Sequence, residues 1–373
     1  MAAGPEMVGQ RESVLAHLVA AGFARTEPAI LQPASVFLDL AGEDIRGRLY
    51  LTSDASGADY CLRPEYTIPV CREYLASAQA GKPASFSYLG PVFRFRAGAA
   101  AESHQAGLEN FGRTDREAAD AEVMVLALES AEQILGRKLA VRIGDAGIFA
   151  RLLDALDLPP VWLRRIRRGS ALGQPIAKIL DREETASTAD HSGVLAALAG
   201  ADRAGARALV QDLLSIAGIS SVGGRSANEI AERYLEQASA QAGGGVTAEK
   251  RAILESFLKI SGDPEKASAA LRQLAKEAKL DLSSALDGFD ARLTFIAARG
   301  VALSRLTFSA SFARNLDYYT GFVFEASDGA PDARPVVGGG RYDRLMTTLG
   351  ASAEIPAVGA AIWCDRLFEK GGK

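Results

Sequence analysis

Polar side chains suited to a ligand site alternate along two neighbouring segments of strand-forming sequence. Gln105, Gly107 and Glu109 recur at every second position and would share one face of a strand, as would Arg94 and Arg96 on the segment before it. A glycine between an amide and a carboxylate leaves room for a ligand to approach the backbone. The alternative is an ordinary solvated face, because antiparallel sheets often expose one side to water.

The segment around residue 318 combines side chains that recognise small polar ligands. Arg314, Asp317, Tyr318 and Tyr319 fall within six residues, just before an apolar candidate strand. Arginine binds a carboxylate through two parallel hydrogen bonds, and tyrosine offers a flat apolar ring with a polar tip. The alternative is an arginine–aspartate pair that caps a turn, with both tyrosines in the core.

Two short motifs could complete such a site. The segment 62–67 ends a candidate strand with Glu65 and Thr67, although Thr67 could equally cap the start of a helix. The glycine run 338–340 precedes an arginine, a tyrosine and an aspartate. A glycine run can bring backbone amides close to a ligand, or it can be a flexible turn.

The sequence offers no nucleophile, metal site or nucleotide fingerprint. No serine lies in a G-x-S-x-G elbow, no cysteine has a plausible histidine partner, and neither a P-loop nor a dinucleotide motif is present. The cysteines and histidines are too few and too scattered for a disulfide framework or a zinc site: Cys61, Cys71, Cys364, His17, His104 and His191. We therefore expect no metal and no cofactor.

Composition and charge describe an ordinary globular protein. The chain has 373 residues, and 42 Lys and Arg against 46 Asp and Glu give a net charge of −4, which argues against a dedicated duplex-binding protein. No apolar run reaches the roughly 18 residues of a membrane span, and the first residues lack the apolar core of a signal peptide. We expect a cytoplasmic protein without a membrane partner.

Hydrophobic periodicity predicts the elements that must hold these residues. Helical spacing predicts helices over about 8–22 and 115–135, and alternation predicts strands over 86–96 and 105–112 joined by the loop 97–103. We also predict an extended stretch over 24–31 and a hairpin made of 47–52 and 60–63. Three late strands are predicted over 305–310, 321–326 and 356–362. Early and late strands should share one sheet, which makes the fold α+β.

The strand signals are interrupted in the middle of the chain. Residues 1–150 and 300–373 carry them, whereas 151–299 is rich in alanine and helical patterns, so we expect a mostly helical insertion there. The basic run within 164–168 is expected to be a solvated helix face. A contact with a partner or with nucleic acid is the less favoured interpretation.

In chain order, these motifs resemble the catalytic core of class II aminoacyl-tRNA synthetases, and specifically the histidyl-tRNA synthetase branch. The matching segments are 27–31 (the dimer-forming strand), 62–67 (L-R-P-E-Y-T), 90–94 with 104–109, 314–321 (R-N-L-D-Y-Y-T-G), 339–343 (G-G-R-Y-D) and 358–367. The resemblance implies an antiparallel sheet flanked by helices. It also implies a pocket for free histidine: Glu65, Thr67 and Gln105 at the α-ammonium, Arg314 at the carboxylate, Glu109 and Tyr319 at the imidazole nitrogens, with Tyr318 and a turn at 339–340 as walls. Such a site rejects amino acids without an imidazole, because its buried polar groups would be left unpaired.

Four departures from the synthetase pattern argue against amino-acid activation. The chain ends seven residues after Arg366, so no anticodon-binding domain is expected. Arg96 stands where synthetases have a glutamate, Tyr66 stands where they have a glycine, and the loop 97–103 has no lysine or arginine to grip ATP. Losing those cations weakens the binding of a triphosphate and removes transition-state stabilisation. Residual anion binding is still expected from Arg94 together with Arg96 and Arg366.

A synthetase-like body that keeps a histidine pocket but lacks these parts resembles the regulatory subunits of ATP phosphoribosyltransferase. This resemblance implies a hetero-oligomer with a short catalytic subunit, which performs the first step of histidine biosynthesis. It also implies feedback inhibition by histidine, with no catalysis and no tRNA binding by this chain. Histidine must then bind one conformation of the complex better than another, typically by about 1–3 kcal/mol.

Two alternatives stay open at this point, and one assembly is expected. An amino-acid-activating enzyme without an anticodon domain is favoured by Arg94, Arg314 and Arg366 and opposed by the loop 97–103. A vestigial scaffold would bind no histidine. We also expect a homodimer through the Pro28 strand and the helix before it, because that sheet edge would otherwise be exposed.

Overall fold

The computed structural model describes most of the chain outside one central stretch. The described residues are 5–40, 47–98, 100–171, 174, 176–181, 221–222, 225–226, 246–312, 318–330 and 333–368. Contacts divide the chain into two compact units, one made of Met1–Leu152 with Ser256–Lys373 and the other of Leu153–Glu255. The predicted helical insertion, 151–299, stays a prediction; the breaks between the units fall at 152 and 255.

The strands in the described residues are numbered here in chain order. They are β1 (Ala24–Arg25), β2 (Leu31–Pro33), β3 (Leu51–Ser53), β4 (Asp59–Leu62), β5 (Ala84–Phe93), β6 (Glu102–Phe111), β7 (Ala140–Asp145), β8 (Ser221–Val222), β9 (Arg225–Ser226), β10 (Ser261–Gly262), β11 (Leu306–Ser309), β12 (Phe322–Ser327), β13 (Val337–Arg341) and β14 (Ala357–Trp363). Nine of them form one sheet in the order β1-β5-β6-β14-β13-β12-β7-β11-β10. The early strand β6 is hydrogen-bonded to the late strand β14, and most neighbours are antiparallel, so the predicted α+β fold with one shared sheet is confirmed.

The strands predicted from alternation are present, with their ends shifted. β5 and β6 pair from Ala84 opposite Phe111 to Phe93 opposite Glu102, and 94–96 lies beyond the end of β5. The predicted hairpin is the pair β3–β4, which joins β2 in a separate three-stranded sheet of order β2-β4-β3. The extended stretch around Pro28 connects this small sheet to the edge strand β1.

The glycine run corrects the sequence analysis. The expectation of a turn at 339–340 is wrong, because these glycines and Gly338 are the middle of β13, buried and paired with β12 and β14. A Cβ added at Gly339 would lie 2.2 Å from the carbonyl oxygen of Gly359 on the next strand. Glycine is therefore needed for close packing of backbones rather than for flexibility.

The helices of the described residues are also numbered in chain order. They are α1 (Pro5–Ala20), α2 (Ala34–Leu40), α3 (Thr67–Ala76), α4 (Arg116–Leu135), α5 (Ala146–Ala155), α6 (Pro160–Ala171), α7 (Ile176–Asp181), α8 (Ala248–Lys259), α9 (Pro264–Glu277), α10 (Ser283–Ala298), α11 (Asp343–Thr348) and α12 (Cys364–Phe368). α4 packs on β6, β13 and β14, and it ends at Gly136, whose left-handed conformation (φ 64°) closes the helix. None of the described helices is both long and apolar enough to cross a bilayer.

The basic run lies on α6 in the second unit. Trp162 and Ile166 are buried, whereas Arg164 and Arg167 are exposed. Arg167 pairs with Asp154 at 2.6 Å. This arrangement fits the predicted solvated face, since the apolar side of an amphipathic helix is the side that packs.

A buried cluster of ion pairs fixes the sheet against two helices. Asp120 of α4 lies between two arginines: Arg292 of α10 donates to it at 2.8 Å, and Arg341 of β13 lies 2.6 Å from its other oxygen. Arg292 also binds Asp145 at 3.0 Å, and Arg341 binds Asp343 at 2.9 Å. Buried charges are tolerated only when they are paired in this way. The cluster therefore holds the end of β13 and the start of α11 in place.

Candidate functional site

Glu109 lies at the centre of the candidate site, fully buried on β6. Its Oε1 accepts a hydrogen bond from the hydroxyl of Thr67 at 2.8 Å, and its Oε2 accepts one from the hydroxyl of Tyr342. Burial raises the pKa of Glu109 to about 8, against the opposing effect of these hydroxyl donors. When it is ionised, this carboxylate offers about four acceptor positions, of which the two hydroxyls occupy two, so it can accept further bonds from a ligand.

The sheet under Glu109 is made of glycines on adjacent strands. Gly359 of β14 lies opposite Glu109, and a Cβ added there would lie 1.6 Å from Glu109 Oε2. A Cβ added at Gly340 of β13 would lie 3.0 Å from the ring of Tyr319. These side chains therefore rest directly on backbone that no larger residue could replace without displacing them.

Two stacked tyrosines cover the same face towards β5. A Cβ added at Gly107 would lie 2.3 Å from the hydroxyl oxygen of Tyr88, so the space predicted there for a ligand is filled by this ring. The ring of Tyr66 stacks on Tyr88, with centroids 4.3 Å apart and planes 4° apart. The guanidinium of Arg63 lies 4.1 Å from the Tyr66 ring centroid on this face. The prediction of an open approach at Gly107 is therefore wrong.

Glu65 lies just before α3, where its carboxylate accepts the backbone N–H groups of Thr67 at 2.7 Å and Ile68 at 2.9 Å. The first N–H groups of a helix lack partners within the helix, and its dipole favours negative charge there. Burial raises the pKa of Glu65, while these bonds and the charge of Arg94 act in the opposite direction. Glu65 thus shapes the start of the helix that carries Thr67. Its role at an α-ammonium stays a prediction.

Three tyrosine rings stand beside Glu109. The ring centroids of Tyr318 and Tyr319 are 4.9 Å apart, and Tyr318 meets Tyr342 edge-to-face at 5.7 Å. Burial raises the pKa of Tyr318 well above 10, so its phenol stays protonated. The structure thus brings Tyr318 and Tyr319 to Glu109, whereas Arg314 lies outside the described residues.

Gln105 shares the strand face of Glu109 and is only 2% exposed. Within the part of the chain that the structure describes, no donor reaches its side-chain oxygen. Buried polar atoms nearly always have a partner, so this oxygen can still accept a bond from a group that the described residues do not supply. The α-ammonium group expected at Gln105 is a donor of this kind.

Two of the predicted anion-binding arginines, Arg94 and Arg366, already contact the protein. The Nε of Arg94 donates to the carbonyl oxygen of Pro64 at 2.7 Å. Burial lowers the pKa of Arg94, and the nearby charge of Arg96 lowers it further. Arg366 donates to the carbonyl oxygen of Pro335, and its guanidinium lies 4.6 Å from the ring centroid of Trp363. Anion binding by Arg94, Arg96 and Arg366 stays a prediction.

Sequence reasoning missed two tyrosines of the site. Tyr88 and Tyr342 both face Glu109, although neither was predicted to do so. The signal for Tyr342 is its position two residues after Gly340, on the same side of an extended segment. The expected turn in that segment concealed the signal.

Comparison with known proteins identifies first the fold of this chain and then its family. A family model described as histidyl-tRNA synthetase matches residues 4–201 and 203–367. A solved structure from Bacillus halodurans, titled as an ATP phosphoribosyltransferase regulatory subunit/histidyl-tRNA synthetase, is similar with a TM-score of 0.67 at 20% identity, covering 98% of this chain and 80% of that one. The histidyl-tRNA synthetase of Nostoc sp. PCC 7120 is similar with a TM-score of 0.63 at 18% identity, covering 97% and 70%. These likenesses confirm the synthetase-like fold.

Two curated relatives define the family of this chain more narrowly. The ATP phosphoribosyltransferase regulatory subunit of Agrobacterium fabrum is 40% identical over 368 residues, which is 97% of this chain and 96% of that protein. The protein of the same name from Mesorhizobium japonicum is 43% identical over 345 residues, or 91% of each. The chain therefore belongs to the histidyl-tRNA synthetase family and, within it, to the ATP phosphoribosyltransferase regulatory subunits.

Proposed function

We propose that the chain is a histidine-sensing, non-catalytic regulatory subunit of ATP phosphoribosyltransferase. It acts with a short catalytic subunit in the first step of histidine biosynthesis, in the cytoplasm. Relatives that bear this name and span nearly the whole chain support the regulatory role. Three buried free thiols support a reducing compartment, because disulfides are rare there.

The unpaired oxygen of Gln105 carries the histidine part of the proposal. It lies on the face that also holds Glu109, whose carboxyl group rests on Gly359 just as the ring of Tyr319 rests on Gly340. The α-ammonium of an amino acid would donate to Gln105, and a ring N–H would donate to Glu109. Tyr319 would then contact the second ring nitrogen of histidine. Arg314 would bind the carboxylate of the ligand, and Glu65 would lie at its α-ammonium group.

Selectivity for histidine follows from burial of these groups. A ligand without ring nitrogens would leave the buried carboxylate of Glu109 without the N–H donor that it is proposed to accept. Sites built on buried hydrogen bonds discriminate more strongly than apolar pockets for this reason. The neighbouring rings of Tyr318 and Tyr319 supply apolar surface to the same site.

Amino-acid activation is the second candidate function, favoured by Arg94, Arg314 and Arg366, of which Arg94 lies close enough to Glu65 to feel its charge. The loop 97–103 opposes it, since its only charged residue is Glu102. Tyr66 opposes it as well, because its ring lies on the site's sheet face against Tyr88. Histidine-dependent exchange of pyrophosphate into ATP separates the two functions. We expect no exchange. Robust exchange would show that the chain activates an amino acid and would contradict the proposed regulatory function.

Feedback requires that histidine distinguish two states of the complex. A ligand shifts an equilibrium only by the difference between its affinities for the two states. A coupling of about 1–3 kcal/mol, or about 5–150-fold in affinity, is typical of allosteric proteins. Glu109 is a suitable contact for this purpose, because its hydrogen bond to Thr67 links β6 to α3 and so ties ligand binding to a helix position.

A homodimer is the proposed assembly of this chain within the complex. β1 is the edge of the large sheet, and both its residues are exposed. Ile30 and Leu31, next to Pro28, are 43% and 47% exposed, and Val19 near the end of α1 is 44% exposed. An open edge beside apolar side chains favours pairing with a second copy.

Titration calorimetry with free histidine tests the proposed function. We expect saturable binding by the wild type and none by Glu109→Ala or Tyr319→Ala. Glu265→Ala, which removes an exposed carboxylate from α9, is the matched control and should bind normally. Absence of heat with the wild type would instead support the vestigial scaffold.

A further inference from the structure

Tyr342 connects the buried cluster of ion pairs to the candidate site. Its hydroxyl donates to Glu109 Oε2, and its ring, 1% exposed, meets Tyr318 edge-to-face. Its two chain neighbours, Arg341 and Asp343, bind each other at 2.9 Å on the side of α4. Because successive residues point to opposite sides of an extended chain, the ion pairs fix the backbone while the ring of Tyr342 faces Glu109.

We propose that Tyr342 is a positioning residue that sets the ligand preference of the site by holding Glu109 as a fixed acceptor for a ring N–H group. The inference rests on the proposed histidine-binding function and deepens it. Tyr342 acts through Glu109 and needs no contact with the ligand. A hydroxyl that donates to a carboxylate fixes its orientation and stabilises its ionised form. A protonated carboxyl would itself donate and would oppose an N–H group.

The groups around Glu109 act on its pKa in opposite directions, and the hydroxyl donors are the ones that favour its ionised form. The titratable groups that act on Glu109 from the neighbouring elements are Glu65 before α3, Cys71 on α3, Tyr88 on β5, Tyr318 before β12 and Tyr342 after β13. Burial and the charge of Glu65 raise the pKa of Glu109, whereas hydrogen bonds from Tyr342, Thr67 and Tyr88 lower it. Removing the Tyr342 hydroxyl therefore favours the protonated form.

Tyr342→Phe tests the inference, because it removes the hydroxyl and keeps the ring. In the absence of ligand, infrared absorption of the protonated carboxyl, assigned with Glu109→Gln, should show that Glu109 titrates at higher pH than in the wild type. Histidine affinity near neutral pH should fall at least about tenfold, the usual cost of losing a bond to a charged group. Half-maximal binding should also move to higher pH. Titration of histidine itself is common to both proteins and cancels in this comparison.

Tyr74→Phe is the matched control. Tyr74 is buried in the same core, and its hydroxyl donates to the carbonyl oxygen of Lys82 at 2.8 Å. This variant loses a hydroxyl bond of the core without a change at Glu109. Its Glu109 titration and histidine affinity should match the wild type, and urea unfolding of both variants checks that each is folded.

Each result bears on a different claim. A higher titration point together with weaker histidine binding in Tyr342→Phe alone supports the inference. If the wild type binds histidine and Tyr342→Phe binds it equally with the same pH dependence, the inference is overturned and the proposed function stands. If the wild type binds no histidine, the proposed function fails and the inference fails with it.

Discussion

The hydroxyl of Thr67 donates to Oε1 of Glu109 at 2.8 Å, across 42 positions of sequence. This bond joins the first residue of α3 to the last part of β6. Glu65 accepts the backbone N–H of Thr67, so the helix start is fixed from one side and the strand from the other. The candidate site therefore depends on the meeting of these two elements, which lie apart in the sequence.

Thr67→Val should weaken histidine binding by about tenfold, because Glu109 loses a donor that fixes its carboxyl while the side-chain shape is kept. Thr67→Ser restores the hydroxyl and should bind nearly as well as the wild type. Calorimetry on the two variants measures the difference. Equal affinities for the valine and serine variants would show that this bond has no part in the site.

The stability of the fold should depend on the titration of Glu109. Its pKa rises from an ordinary 4.5 to about 8 on burial, so between these pH values the folded state binds more protons than the unfolded state. The free energy of unfolding then falls as pH rises from about 4.5 to about 8. Glu109→Gln cannot titrate and should lack this loss, which is on the order of a few kcal/mol. Urea unfolding of both proteins at several pH values measures it, and parallel profiles would contradict it.

Removing one partner of the buried ion pairs should lower the free energy of unfolding by a large amount. Asp120→Ala leaves Arg292 and Arg341 without their shared partner inside the protein. We expect a loss of about 3–5 kcal/mol in the free energy of unfolding. Asp287→Ala removes a partner of the exposed Arg272 and is the control, with an expected loss below about 1 kcal/mol. Similar losses for both would indicate that the buried cluster is not fully desolvated.

The proposed homodimer should dissociate when charge is placed on its apolar surface. Leu31→Asp introduces a carboxylate at an exposed position of β2 next to Ile30. Sedimentation should show a dimer for the wild type and a monomer for this variant. Phe295→Asp on α10, an exposed apolar position outside that surface, is the control and should leave the dimer intact. A monomeric wild type would contradict the assembly.

The sequence predicts much of the large sheet, because alternation and helical spacing are strong where one side of an element is buried. β5, β6 and α4 were expected at nearly their observed positions. β13 could not be predicted in this way. Glycine is rare in strands, so the glycine run did not indicate one. The glycines of β13 are needed because the backbone of the neighbouring strand approaches closely, and only the folded sheet shows this approach.

The candidate site was predictable in part for similar reasons. Glu109 and Thr67 were expected in one pocket, and their hydrogen bond brings them together. The covering of Gly107 by Tyr88 was not foreseen, since an empty position in a sequence pattern does not show which ring fills it. Tyr342 was missed because its role depends on the extended conformation of the glycine run before it.

Inhibition of the reconstituted enzyme tests the central claim most directly. The chain is combined with the short catalytic subunit, and ATP phosphoribosyltransferase activity is measured against histidine, with light scattering to confirm assembly. We predict that histidine inhibits the wild-type complex and that a complex containing Glu109→Gln assembles, remains active and is not inhibited. Equal inhibition of the two complexes, or full activity and histidine sensitivity without this chain, would contradict the account.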